Sequence, residues 1–413
     1  MQETKKTSER TFARCNHICL PFDCEQQYSI CVADPDRYRE FLAAQFEKYP
    51  ELFPPAFSEG YEFHSRYYQK KQDLLVRRIK LKAGKKVLAI RPSFIMPYGV
   101  GRTDDVEKGL RLMGGGLGVE TVVEIYGHDI NYWDRMWLSL GRNPLLGTTV
   151  KDPKKLPEQV VADEKITWLN GEEVLVATTV GCGCFLGVGL AKNETAPELQ
   201  EAYGEFKQEA RKLDKNYAPK GVCTDGFHST RLAWQSLFSG VVLILCFLHG
   251  VLKIRNRCRG PLRKEVLDRV WHCYQATTRR QFSQRLRRLV EWADKELQGP
   301  VLEAVKKLYA KREQYKLAYE MPEAYRTTNA VDRLINWLDR LLYARRYLHG
   351  DGEKARLALR AMALYWNFHS YSARVRREDP KRKSPFADLN GFEYHENWLH
   401  NLLVAASLGG CQP

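Results

Sequence analysis

No apolar run in this sequence is long enough to cross a bilayer. The longest, Val241 to Leu248, is less than half of the roughly 20 residues that a membrane helix needs. There is no Cys-x-x-Cys pair, and the eleven cysteines follow no regular spacing. With no leader peptide read at the start, reduced thiols in a cytoplasmic protein are expected. No Gly-Lys-Ser/Thr follows the glycine-rich run Gly114 to Gly118, so that run is not a phosphate loop. Acid is in short supply: 50 Asp and Glu stand against 65 Lys and Arg, a net charge of +15. Such a surplus points to a polyanionic partner, nucleic acid before an acidic membrane. The rest is ordinary globular material. Hydrophobic residues make up 44% and charged residues 28%, which excludes wholesale disorder, and 413 residues suffice for two or three domains.

Residues 1–100 read as a polar, aromatic N-terminal region. The PELFPPAF stretch (50–57) breaks structure and suggests a connection. Residues 75–96 alternate basic with aliphatic side chains around a glycine, which predicts a basic β-hairpin. Cys15, Cys19, Cys24 and Cys31, with His17, could form a zinc knuckle. Three, four and six residues separate the cysteines, which is not zinc-pair spacing, so buried thiols are preferred.

Residues 101–150 predict three helices: Asp104 to Met113, Val119 to Tyr126 and Asp129 to Leu140, the last two joined at Gly127. Short helix, glycine turn, longer helix is the helix-turn-helix pattern. Asn131, Tyr132, Arg135 and Arg142 would then lie on or near the helix that enters the major groove. An ordinary helical hairpin has the same pattern.

From residue 151 to 250 the periodicity predicts strands at 158–169, 173–180 and 182–191, a helix at 197–213, a strand at 220–224, a helix at 228–238 and a strand at 241–246. The uncharged stretch Val174 to Ala191, broken at Gly181 and Gly183, is better explained by two buried strands than by a membrane helix. The order β-β-β-α-β-α-β is the ribonuclease-H-like layout: an α/β fold on a mixed five-stranded sheet. Asp163 lies in the first of these strands and Asp225 at the end of the fourth. Neighbouring strands would bring the two carboxylates together, and such a pair is costly unless a cation sits between them. Glu164, beside Asp163, should face the other side of the sheet.

Residues 251–322 predict a basic all-helical insertion, with 18 Lys and Arg against 8 Asp and Glu over 251–320. Its densest segments carry Lys253, Arg255, Arg257 and Arg259, then Arg279, Arg280, Arg285, Arg287 and Arg288, and phosphate-backbone contact is the expected role. Residues 323–413 complete the core. There Asn329 can cap a helix carrying Asp332, Asn336 and Asp339 on one stripe and Val331, Leu334 and Leu338 on another.

Four segments in this order carry a resemblance: VVADE around Asp163, VCTDGFH around Asp225, CFLH at Cys246 to His249, and RTTNAVD leading to Asp332. Together they resemble bacterial insertion-sequence transposases of the DDE/D type, in the wider group with Mutator-like and hAT-like elements that carry a Cys-x-x-His element. The resemblance covers residues 155–412. It implies a metal-dependent strand transferase in which Asp163, Asp225 and Asp332 hold two Mg²⁺ ions, with Mn²⁺ as a substitute. It implies accessory roles for Cys246, His249, His228 and Asn329, and double-stranded DNA, both element ends and target, as the partner. A homodimer or higher oligomer on DNA, in a bacterial cytoplasm near the nucleoid, is the matching expectation.

Many relatives have Glu where this sequence has Asp332. With Asn329 as cap, Asp332 could instead satisfy a free backbone N–H at the third helical position, and Asp339 or Glu323 could be the third ligand. A zinc site on Cys246, His249, Cys258 and His272 or Cys273 fits no standard spacing. Two other functions fit the same residues: a nuclease or resolvase that cuts without joining, and a captured remnant that binds DNA without catalysis.

Overall fold

A computed structural model describes residues 16–22, 24–97 and 99–410. The first part of the chain builds a four-stranded sheet from β1 (His17–Leu20), β2 (Tyr61–Gln69), β3 (Leu74–Leu81) and β4 (Val87–Pro92), in the order β1-β4-β3-β2. β3 and β4 are the hairpin expected at 75–96, antiparallel with Ile79 opposite Leu88. The sequence reading missed β1, β2 and the helices α1 (Glu25–Ala33) and α2 (Pro35–Lys48). α2 has a legible start, since Asp34 accepts from the backbone N–H groups of Asp36 and Arg37 and Pro35 opens the helix. β2 is harder to read because its aromatics pack across the sheet with Arg77, which is stacked on Phe63 and Tyr38 and buried despite its charge.

Next come α3 (Thr103–Gly114), α4 (Val119–Tyr126), α5 (Ile130–Gly141) and α6 (Leu145–Thr149). The helices predicted at 104–113, 119–126 and 129–140 are all present, but α5 is no free recognition helix. Trp133, Met136, Trp137 and Leu140 are buried, and the helix packs against α15 (Gly352–Phe368). Contact is so close that a Cβ on Gly141 would sit 1.9 Å from the Leu357 carbonyl oxygen. Tyr132 is therefore corrected from base reader to core residue: it is buried, and its hydroxyl donates to the Val100 carbonyl at 2.8 Å. Asn131 and Arg135 are exposed, and Arg142 is half-buried.

The second sheet has five strands: β5 (Gln159–Leu169), β6 (Glu172–Gly181), β7 (Cys184–Ala191), β8 (Gly221–Thr224) and β9 (Val242–Leu245). Their order is β7-β6-β5-β8-β9, with β5–β6 and β6–β7 antiparallel and β5–β8 and β8–β9 parallel. The strands fall within two residues of the positions expected from period and turn signals. α7 (Ala196–Leu213) and α8 (His228–Leu237) cover one face, where Ala162, Leu186, Phe206 and Trp234 form a separate core. On the opposite face, Val161, Val176, Phe185 and Cys223 join a core that runs from Ile18 to Leu408 and takes in the first sheet. Residues 16–150 thus share one hydrophobic interior with the C-terminal helices.

α9 (Phe247–Arg257), α10 (Arg263–Tyr274), α11 (Arg279–Glu296), α12 (Gly299–Ala310) and α13 (Arg312–Lys316) follow β9 as a helical unit with its own core around Ile254, Phe282 and Leu286. α14 (Asn329–Ala344) and α15 then return to the sheet. α16 (Ala373–Glu378), α17 (Pro385–Asn390) and α18 (Trp398–Ala405) close the chain. α18 packs on β1, where the Ser407 hydroxyl accepts from the Cys19 N–H and donates to the Leu52 carbonyl. Among the described residues no helix is long and apolar enough to cross a membrane.

Candidate active site

Strand register places the first two acids. β5 and β8 run parallel, with Val161 opposite Cys223, so Asp163 and Asp225 each lie two residues further along neighbouring strands. Strands in a sheet are about 4.8 Å apart, and residues two apart share a face. Cys223 is opposite Ile244 of β9, and the ladder continues through the Cys246 N–H, which donates to the Thr224 carbonyl at 2.8 Å. Asp163, Asp225 and Cys246 therefore form one row across three strands, where β8 and β9 end.

The side chain of Asp163 faces α14. Lys165, two residues on, pairs with Asp339 of that helix at 3.2 Å. Two strand residues span about 6.6 Å and the seven helical residues from Asp332 to Asp339 about 10.5 Å. Asp332 lies two turns before Asp339 on the helix that this ion pair ties to β5. Glu164 points the opposite way, accepting from the hydroxyls of Tyr203 and Thr230, each at 2.7 Å, in the layer of α7 and α8. The two neighbouring acids thus occupy opposite faces of the sheet, as strand alternation requires.

The start of α14 differs from expectation. Thr328, not Asn329, is the N-cap, so Asp332 is one position later than a capping acid would be. Its carboxylate accepts from the Thr328 hydroxyl at 3.3 Å and not from a free backbone N–H. Asp339 is neutralised by Lys165, and Glu323 is exposed at a left-handed turn residue with φ of 58°. Asn329 and His228 are both exposed at the first positions of their helices.

Cys246 anchors this corner. Its sulfur accepts from the buried Thr328 N–H at 3.2 Å and lies 3.4 Å from the Thr328 hydroxyl oxygen, while the next residue's N–H donates to the Arg326 carbonyl. Sequence reasoning named Cys246 but missed Thr328 and Cys223, although both lie inside quoted segments. The neighbouring Cys223, with His249 and Thr328, holds the Cys246 thiol down at about 4 against burial. His249 is shifted upward, chiefly by Cys246. The Nδ1 atom of His249 is buried without a well-formed hydrogen bond.

The corner is overloaded with negative charge. Burial, then Glu164 and Asp225, raise Asp163 to about 7. Burial and Cys246 raise Asp332. Carboxylates are the donor type that hard divalent cations take. Among the described residues no group of three His, Cys, Asp or Glu side chains is placed to hold a metal ion. The buried Nδ1 atom of His249 lies in the electrostatic field of Cys246, Asp163 and Asp225.

The other expected sites resolve as follows. Cys15 lies outside the described residues. Cys19 and Cys31 are buried, and Cys24 is exposed, its sulfur accepting from the Gln27 N–H at the start of α1. Cys258 and Cys273 belong to the core of the helical unit, where the Cys273 thiol donates to its own helix at the Arg269 carbonyl. Lys253, Arg255, Arg257, Arg259, Arg280, Arg287 and Arg288 are exposed. Arg279 pairs with Glu313 and Glu320, Arg287 pairs with Glu291, and Arg285 is half-buried and donates to the His272 carbonyl.

A second constellation invites a hydrolase reading and fails it. Ser93 Oγ is 3.0 Å from His400 Nδ1, and His400 Nε2 is 3.1 Å from Asp104. Ser93 is fully buried and uses the ring nitrogen that an acyl-transfer triad gives to its acid. The chain of contacts ties β4 to α3 and α18.

No protein-family model matches the chain, and no curated protein matches its sequence.

Proposed function

We propose that the protein is a DNA strand transferase of the DDE/D type, built on a ribonuclease-H-like core with a helical insertion. The observation that supports this is the register of parallel strands β5 and β8, which puts Asp163 in β5 level with Asp225 just past the end of β8, with Asp332 on the helix that Lys165 and Asp339 tie to β5. Asp163, Asp225 and Asp332 would hold two Mg²⁺ ions, which Mn²⁺ can replace. Bound there, the ions would supply Lewis acidity for in-line displacement at phosphorus.

The chain's own contribution is positioning. Thr328 holds the Asp332 carboxylate and is itself held by Cys246. Glu164 is kept out of the site by Tyr203 and Thr230. The basic helical unit beside the site supplies charge for the phosphate backbone, and Asn131 and Arg135 offer exposed polar groups away from it. The same pocket serves hydrolysis and 3′-hydroxyl attack, since only the nucleophile changes. Synapsis of two element ends calls for at least a homodimer on DNA.

The test is incubation of purified protein with labelled end DNA and Mg²⁺ or Mn²⁺, resolving nicked from joined strands. Cleavage and joining that both vanish in Asp163→Asn support the proposal. Cleavage that survives in Asp163→Asn refutes it.

A further inference from the structure

Beside Asp225 lies a cavity of about 400 Å³ between α9 and α12, within the roughly 300–1,000 Å³ of ordinary ligand sites. Gly250 closes its floor: a Cβ there would meet Leu308 of α12 at 2.4 Å, so the two helices touch at this point. Lys253 and Arg257 are one and two turns further along the same stripe of α9, and Lys307 and Lys311 line the cavity from the other side. All four are exposed, and none has an ion-pair partner among the described residues, whereas Arg269, Arg279, Lys306 and Lys316 nearby are paired. Glu303 and Asp225 are the two acids in the lining. Four unneutralised cations around one concavity repel each other, and a bound polyanion relieves that cost.

We infer that the α9–α12 cleft binds the phosphates of a single DNA strand as it enters or leaves the site at Asp225. A cavity of this size admits a nucleotide but not the width of a duplex. The cations lie on two helices, as needed to follow successive phosphates. The inference rests on the strand-transfer reading for its direction toward Asp225, and it adds Lys307 and Lys311, which charge density along the sequence does not single out.

The test is anisotropy of a short labelled DNA single strand, and of the matching duplex, with full-length protein in chelator. Lys307→Ala/Lys311→Ala should weaken single-strand binding about tenfold and make the salt slope shallower by about one to one and a half. Lys70→Ala/Lys71→Ala removes the same charge from the exposed β2–β3 turn and should change binding by no more than about twofold. Equal losses in the two variants, no loss in the first, or a larger loss for duplex than for single strand overturns the assignment. Chelator separates this from catalysis. If wild-type protein cuts no DNA with Mg²⁺ but the cleft variant shows the selective loss, strand transfer fails and the cleft stands.

Discussion

Thr328 donates its backbone N–H to the sulfur of Cys246 at 3.2 Å and its hydroxyl to Asp332 at 3.3 Å. One residue thus links the end of β9 to the acid on α14. A cysteine suits this corner because its sulfur accepts from the Thr328 N–H and sits against the Thr328 hydroxyl without filling the space of a larger side chain. Cys246→Ala leaves a buried N–H unpaired, which costs about 1–3 kcal/mol. The expected outcome is a lower melting temperature and cleavage slowed by about tenfold or more, with DNA affinity unchanged. Cys246→Ser should recover part of both, since its oxygen can accept. Full activity in the alanine variant would remove Cys246 from the positioning role.

Asp163 sets a pH dependence. In the folded protein it titrates at about 7, against an ordinary 3.8. The folded state therefore binds this proton more tightly than the unfolded chain. The sign follows: the group favours folding below about 4, and stability declines as pH rises through 7. Asp163→Asn should raise the stability of metal-free protein by about 1–3 kcal/mol at pH above 7 and have almost no effect at the acid end. Mg²⁺ should stabilise the wild type more at alkaline than at acid pH and lose this effect in the variant. Thermal melts at both pH extremes, with chelator and with Mg²⁺, decide it.

His369 has the opposite sign. Burial, with Arg111 and Arg376 nearby, lowers it to about 4 from 6.5, and its ring stacks on Tyr365 at 4.9 Å. The unfolded chain binds the proton better, so stability is intact above 6.5 and is lost as pH falls through 4. His369→Phe should flatten the acid limb of the stability curve. An unchanged acid limb would place acid unfolding elsewhere.

Gly141 has a steric role that helix propensity would conceal. Alanine is better than glycine in a helix by about 1 kcal/mol. Here the added methyl would lie 1.9 Å from the Leu357 carbonyl oxygen. Gly141→Ala should destabilise by about 1–3 kcal/mol, read as a lower urea midpoint, because the backbones of α5 and α15 must separate. A neutral or stabilising result would show that α5 is not held against α15.

The five strands around Asp163 were legible because they are β-rich and bounded by glycine or charge, as at Gly181 and Lys192. Asp163 and Asp225 were legible from their places in that order. The N-terminal sheet was not: β2 mixes aromatics with Arg66 and His64 and has a register shift near His64, so period alone gives little. The recognition-helix expectation for Tyr132 failed because Tyr132 lies with Trp133, Met136, Trp137 and Leu140 on the one apolar face of α5, and that face packs into the core. The cap of α14 is Thr328, one residue before the expected Asn329, and Thr328 is held by Cys246, 82 residues away in the chain, a contact that local sequence does not show.

The central claim is that Asp163, Asp225 and Asp332 act together on DNA phosphorus, and single-turnover cleavage and joining of labelled end DNA with Mg²⁺ tests it most directly. The expected result is loss of both steps in Asp163→Asn, Asp225→Asn and Asp332→Asn, each folded and each binding DNA within a few fold of the wild type. Cleavage by any one of these variants at the wild-type rate would contradict the account.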